Sequence, residues 1–299
     1  MNTKFPEKTI VKLDSKGIPI IVKQDNCEIE LPKCLYKSYA LTGYSVEALT
    51  EHYLYAAKPE QLNDIYDCSP ELFTPEALES CSILSDYKNT DPQPARFYTE
   101  PTYNYLERYI TDNWGIISLN ERYKSTLMWS HYVANDGFIV TFNPEKLKGE
   151  GLGPYPIQYL KERDLNICKT KYQAQFIPLV PCFQKKYAWH YEKEWRILAN
   201  VSKCINERKY VYDVTAVKAI HVGYYFLQRI PNSNIHFSYR RSMDDKDKVL
   251  RKLSVLRYCK EHNLPIFVYV SLDLRKTNFP KYHIEHIDEE KYLVIMRHG

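Results

Sequence analysis

The sequence predicts an α+β fold, and three observations lead there. Short apolar runs and amphipathic stretches alternate along the chain without a strict strand–helix–strand rhythm, which disfavours a doubly wound parallel sheet. A hydrophobic fraction of 44% beside 26% charged residues is enough for a packed core. No internal repeat and no low-complexity linker divides the 299 residues, so one compact domain over 1–299 is expected. Within it, 1–30 form an N-terminal hairpin extension and 243–299 a C-terminal helix–strand unit.

The elements follow in order. Thr9–Leu13 and Ile18–Val22 read as a hairpin around Asp14–Gly17, where glycine supplies the positive φ that short loops need. Leu35–Tyr39 is a strand, and Ser45 is the expected N-cap of a helix over Val46–Tyr53. Leu54–Ala57 is a short strand, and residues 69–100, rich in Ser, Pro, Thr and Asp, read as short helices and loop. Tyr103–Asn113 is helical, Trp114–Leu119 a strand, Asn120–Val133 a helix ended by Gly137, and Phe138–Phe142 a buried strand. Residues 149–154 read as a loop, Ile157–Leu160 and Trp195–Asn200 as strands, and 184–191 as a helix. Ala219–Gly223 is a strand, Lys246–His262 a helix with Leu250, Leu253, Leu256 and Arg257 at helical spacing, and Pro265–Leu272 the closing strand.

Composition narrows the function classes. A formal charge of +4 with only short basic runs, such as Lys185-Lys186, is a weak electrostatic footprint for nucleic acid. Eight cysteines include no CxxC pair, which argues against a zinc ribbon or a dithiol redox site. The first residues lack the apolar stretch of a signal peptide and no run of eighteen apolar residues occurs, so a cytoplasmic chain without a membrane span is expected. Tyrosine, at 27 residues against 11 Phe, fits half-wet clefts and equally an AT-rich gene. No nucleophile elbow, P-loop or dinucleotide fingerprint is present.

Five ordered segments carry the remaining signal: Leu35-Tyr-Lys-Ser-Tyr39, Leu62-Asn-Asp-Ile-Tyr-Asp-Cys68, Ile117-Ser-Leu119 with Met128-Trp-Ser-His-Tyr132, Trp189-His-Tyr-Glu-Lys-Glu-Trp-Arg196, and Ile220-His-Val-Gly223. As a set they resemble an uncharacterised bacterial family of unknown function, related to some phage abortive-infection proteins. Ile65-Tyr66 depart from the family's usual Pro-Phe, which implies a looser turn here. The family's layout in turn resembles the ADP-ribosyltransferases, which implies a split, twisted mixed sheet with flanking helices and NAD as substrate. That resemblance further implies a protein or nucleic-acid acceptor and the role of a toxin or phage-defence effector. It also puts Tyr36 or Lys37 at the first-strand anchor, and Lys is a weaker match than the usual His or Arg.

Breaking the nicotinamide–ribose bond needs a carboxylate beside an oxocarbenium-like centre. Glu192 and Glu194 stand two apart and, on a strand, would share a face. Glu194 is the candidate for the ribose contact, Glu192 for orienting the acceptor, and Arg196 for the diphosphate or as the counter-ion of Glu194. Both glutamates with Lys193 and Arg196 also read as an exposed salt-bridge ladder. His131 is a candidate general base, with a structural hydrogen-bonder as the plainer reading, while Trp129 shares an inward helix face with Val133 and, with Tyr36 and Lys37, lines the NAD cleft that the resemblance implies. Asn63, Asp64 and Asp67 read as a turn bonding its own backbone, with Asn63 and Asp64 lining the expected cleft. A metal held by Asp64, Asp67 and His131 would make a hydrolase or nuclease, although nothing in the spacing marks a metal site. A non-enzymatic defence sensor is the remaining class.

Overall fold

The structure, a computed structural model, describes residues 9–13, 19–23, 29–69, 100–134, 136–149, 151–161, 174–206, 208–228, 230, 232–233, 246–269, 280–288, 290–291 and 293–299. The expected turn at 14–17 and the Ser/Pro-rich stretch 70–99 lie outside these residues. Two units organise the chain: Met1–Pro32, Leu54–Glu121 and Lys148–Val211 form the first, Lys33–Tyr53, Arg122–Leu147 and Tyr212–Gly299 the second. The result is a mixed α+β protein. No helix among the described residues is long and apolar enough to cross a membrane.

In the first unit the hairpin forms as predicted, with Thr9 opposite Lys23. Its central sheet sets Glu194–Asn200 between Trp114–Asn120 and Leu152–Pro156, both antiparallel, with Arg196 opposite Ser118 and Tyr155. Glu194–Leu198 have no exposed face, and Ile116, Leu198, Ile110, Leu179 and Phe183 pack into one core against it. Ile110 comes from the helix Glu100–Asn113. Two expectations fail here. Residues 152–154 pair as part of an edge strand instead of looping out, because the Arg196 strand offers them a free ladder. Residues 184–191 are not a helix: Gln184–Lys186 pair in parallel with Gln158–Leu160, and Tyr187–Glu192 form a 3₁₀ turn.

The second unit carries a mixed sheet of seven described strands. Leu35–Tyr39 pairs with Phe138–Phe142, which pairs with Val217–Gly223; Ile266–Tyr269, Lys281–Asp288, Leu293–His298 and Asn232–Ser233 continue it. The Val217–Gly223 and Ile266–Tyr269 pair is parallel, the others named antiparallel save the last. The cap of the first helix differs from expectation. Thr42 is the N-cap of Gly43–Thr50, and Ser45 closes the capping box from the third position by accepting from the Thr42 amide at 2.9 Å. Asn120–Val133 is not one helix either. Only Thr126–Met128 is α-helical, followed by a wide π-type turn at Trp129–Val133. That turn still buries Trp129 and Val133, as their spacing predicted. Gly137 follows because a Cβ there would collide with the Tyr39 and Val133 carbonyl oxygens. The helix Lys246–Glu261 buries Leu253 and Leu256 as their spacing predicted, together with Val249 and Cys259, while Leu250 is half-buried and Arg257 exposed.

Candidate functional site

The first unit gathers five ionisable side chains at the start of its central strand. Arg196, at 0% exposure, spreads its planar fork over two carboxylates. Its Nη1 and Nη2 donate to Asp67 Oδ1 and Oδ2 at 2.8 and 2.5 Å, and its Nε donates to Glu194 Oε1 at 2.7 Å. Nη1 also reaches the Cys182 carbonyl at 2.9 Å. The Lys185 ammonium closes the cluster, donating to Glu192 Oε2 at 2.8 Å and Glu194 Oε2 at 3.2 Å, with Asp67 Oδ2 at 3.6 Å. Three carboxylates face two cations, so the cluster retains one net negative charge.

Local structure explains how these groups meet. Glu192 and Glu194 do not converge by strand alternation, as the sequence suggested. Glu192 ends the 3₁₀ turn, Glu194 begins the strand, and Lys193 between them turns the chain in the left-handed region at φ 47°. Cys68, at φ 60°, makes a similar left-handed turn after Asp67. The Glu194 amide is fixed by donating to Tyr159 Oη at 2.8 Å, and the Asn120 side chain donates to the Glu192 carbonyl at 3.2 Å. The turn Asn63–Cys68 behaves as expected at Asp64, whose Oδ1 accepts from the Tyr66 amide at 3.0 Å. At Asp67 it does not: that carboxylate leaves its own turn and pairs with Arg196.

Electrostatics fix the protonation states. Burial pushes the Glu194 carboxyl up, but Arg196 and Lys185 outweigh it and hold the pKa at about 2, with Ser118 adding a hydrogen bond. Burial disfavours the Lys185 charge, yet Glu194, Asp67 and Glu192 raise its pKa overall. Burial and then the Glu194 charge push the Tyr159 phenol far up, so it stays a neutral hydroxyl. The Cys68 thiol is likewise driven well up, first by burial and then by Cys182, which leaves it no thiolate character. The exposed-ladder reading of Glu192 and Glu194 therefore fails, since both are buried.

Aromatic side chains stand beside this cluster. Lys185 Nζ lies 4.8 Å from the ring centroid of the half-buried Trp189, whose neighbour Tyr191 is 6.0 Å away ring to ring. An arrangement of two carboxylates around a single ammonium, against an indole, can hold a compact cation or orient a proton acceptor. Among the described residues no group of three or more His, Cys, Asp or Glu side chains is set to hold a metal.

Of the predicted residues, Glu192, Glu194 and Arg196 come together, Asp64 sits in the adjoining turn and Asn63 there is exposed. Tyr36, Lys37, Trp129 and His131 belong to the second unit. There Tyr36 packs 5.0 Å from Tyr123 and 6.0 Å from His221 between ring centroids, and Lys37 is half-buried on the same strand. Trp129 Nε1 donates to the Tyr123 carbonyl at 2.7 Å, which makes it a structural anchor, while His131 is exposed. Lys185 was missed because it reads as half of a solvated Lys-Lys pair. Gln184, Lys185 and Lys186 show no alternating burial, so no local pattern separates the two lysines.

No curated protein and no solved structure matches the chain. Residues 128–197, which hold both the Met128–Tyr132 and the Trp189–Arg196 motifs, match the family described as a protein of unknown function (DUF2971), and over that stretch the chain is similar to this uncharacterised family.

Proposed function

We propose that this protein cleaves the nicotinamide–ribose bond of NAD and passes the ADP-ribosyl group to an acceptor, as an effector of the toxin or phage-defence kind. The observation that carries this reading is the enclosure of one positive charge: Glu192 and Glu194 lie 2.8 and 3.2 Å from Lys185 Nζ, with the Trp189 ring beyond. A place that holds an ammonium between two carboxylates and an aromatic face suits a compact cation. The nicotinamide ring is a cation before the bond breaks, and the ribose becomes one as it breaks. Productive binding exchanges the Lys185 ammonium for the substrate's charge. The C1′–N bond then breaks with its electron pair going to the nicotinamide nitrogen, while ionised Glu194 faces the developing charge. The acceptor's oxygen or nitrogen bonds to C1′ and its proton passes to Glu192.

The test is nicotinamide release by the purified full chain, beside Glu194→Gln and Glu192→Gln, with melting temperatures recorded for each. Release by the wild type that is lost in a folded Glu194→Gln supports the reading, and label transfer then identifies the acceptor. Wild-type silence, with no thermal shift on adding NAD, sinks it. The second reading is a partner-binding protein in which the cluster is only an ionic lock. What favours it is the burial of Glu194 and Arg196, at 1% and 0% exposure. On that reading Glu194→Gln lowers the melting temperature but there is no turnover to lose.

A further inference from the structure

The stretch Gln184–Arg196 sorts its charges in a way that composition hides. Its acids, Glu192 and Glu194, are buried and paired with cations, while half-buried Lys186 precedes exposed Tyr187. Lys186 Nζ lies 3.4 Å from the ring centroid of Tyr66, which is 42% exposed and follows Ile65 at 86%. Lys186 thus holds the Tyr66 ring beside the chain position next to Tyr187. Tyr187 is itself stacked on His190, 4.4 Å between centroids and 7° from parallel, and Lys161 Nζ lies 5.9 Å from its ring centre. His190 is held there through Nδ1, 2.8 Å from the Tyr187 carbonyl. A carbonyl only accepts, so Nδ1 carries the proton.

Two exposed tyrosine rings and a half-buried imidazole beside two lysines, next to a stretch whose glutamates are buried, match one ligand chemistry. Single-stranded nucleic acid presents bases for stacking and phosphates for the ammonium groups, whereas a duplex hides its base faces. We propose that Tyr66, Tyr187 and His190, with Lys161 and Lys186, form a binding surface for single-stranded nucleic acid. The inference rests on these side chains alone and stands whether or not the chain cleaves NAD.

The experiment is fluorescence anisotropy of the full chain with a labelled mixed-sequence single strand of about 15 nucleotides, a length that covers one site of this kind. The same sequence as a duplex and a polyglutamate of equal charge serve as competitors. Binding to the single strand is expected to weaken about sevenfold between about 50 and about 200 mM salt, as two lysine–phosphate contacts require. Tyr66→Ala and Tyr187→Ala should each weaken it about fivefold or more, the low end of what one stacked base is worth. Tyr66→Phe and Tyr187→Phe keep the rings and should bind like wild type. Lys161→Ala with Lys186→Ala should flatten the salt dependence. Equal competition by duplex or polyglutamate would overturn the proposal in favour of a bare anion site. Absence of binding at low salt, or tyrosine truncations without effect, would overturn it outright.

Discussion

Replacing Arg196 by Met removes the bidentate pair to Asp67, both contacts to Glu194 and the bond to the Cys182 carbonyl. What remains is three buried carboxylates facing Lys185 alone. Breaking a buried ion pair from one side costs about 3–5 kcal/mol, because the partner's charge stays buried without compensation. The Glu194 carboxyl, raised by burial but held down by Arg196 together with Lys185 and Ser118, points the same way. Its pKa lies at about 2 against an ordinary 4.5, and two to three units correspond to about 3 kcal/mol. The two figures agree, and for a chain of this size such a loss lowers the melting temperature by of order 10 °C. The pH dependence has a definite sign. With its folded pKa below 4.5, Glu194 gives its full stabilisation above pH 4.5 and loses it as pH falls towards 2. Urea unfolding of wild type and Arg196→Met should therefore show a gap of several kcal/mol at neutral pH that narrows below pH 4.5. Adding Asp67→Asn to Arg196→Met restores the cluster's net charge, so the double variant should lose less than the two single losses combined. A gap below about 1 kcal/mol at neutral pH, or one unchanged with acidification, would refute the argument that these charges are dry and mutually paired.

Two further outcomes concern the second unit. Burial and then the Lys124 charge hold the His221 pKa at about 3 against an ordinary 6.5, so His221 stays neutral in the fold. The unfolded chain then binds the proton first, and wild-type stability should fall by about 2 kcal/mol between pH 6.5 and pH 5. His221→Phe with Thr141→Val, which removes the ring nitrogens together with their 2.8 Å hydroxyl partner, should flatten that slope in thermal melts; an unchanged slope would exclude His221 as its source. Gly137→Ala should destabilise by at least about 2 kcal/mol, since the clash is with backbone oxygens that cannot turn aside. A melting temperature within one or two degrees of wild type, roughly half a kcal/mol, would show that the turn yields.

Much of the fold was legible because Leu35–Tyr39 alternates apolar and polar residues and Phe138–Phe142 is a continuous β-branched and aromatic run. The helix–strand boundaries around the site were not. Residues 184–191 have a composition that suits a helix, but Gln184–Lys186 are taken up by parallel pairing with Gln158–Leu160, a contact that no local pattern announces. At the site, Glu192, Glu194 and Arg196 stood out as a short charged motif, and the pairing of Arg196 with Glu194 was one of the two roles read for that arginine. Asp67 and Lys185 were not readable as partners. Each looks locally like an ordinary surface residue, a turn aspartate and a solvated lysine, and only tertiary packing buries them.

The bond between Asp67 and Arg196 spans 129 positions, and this sets the order in which the protein can be built. Closing so wide a loop costs entropy before any ionic contact repays it, so the cluster forms late in folding. Arg196→Met should accordingly hasten unfolding more than it slows refolding. During synthesis, Asp67 emerges about ten seconds before Arg196 at ordinary rates of elongation. For that interval the nascent chain carries a carboxylate destined for the interior while the 122–147 stretch of the other unit is made first.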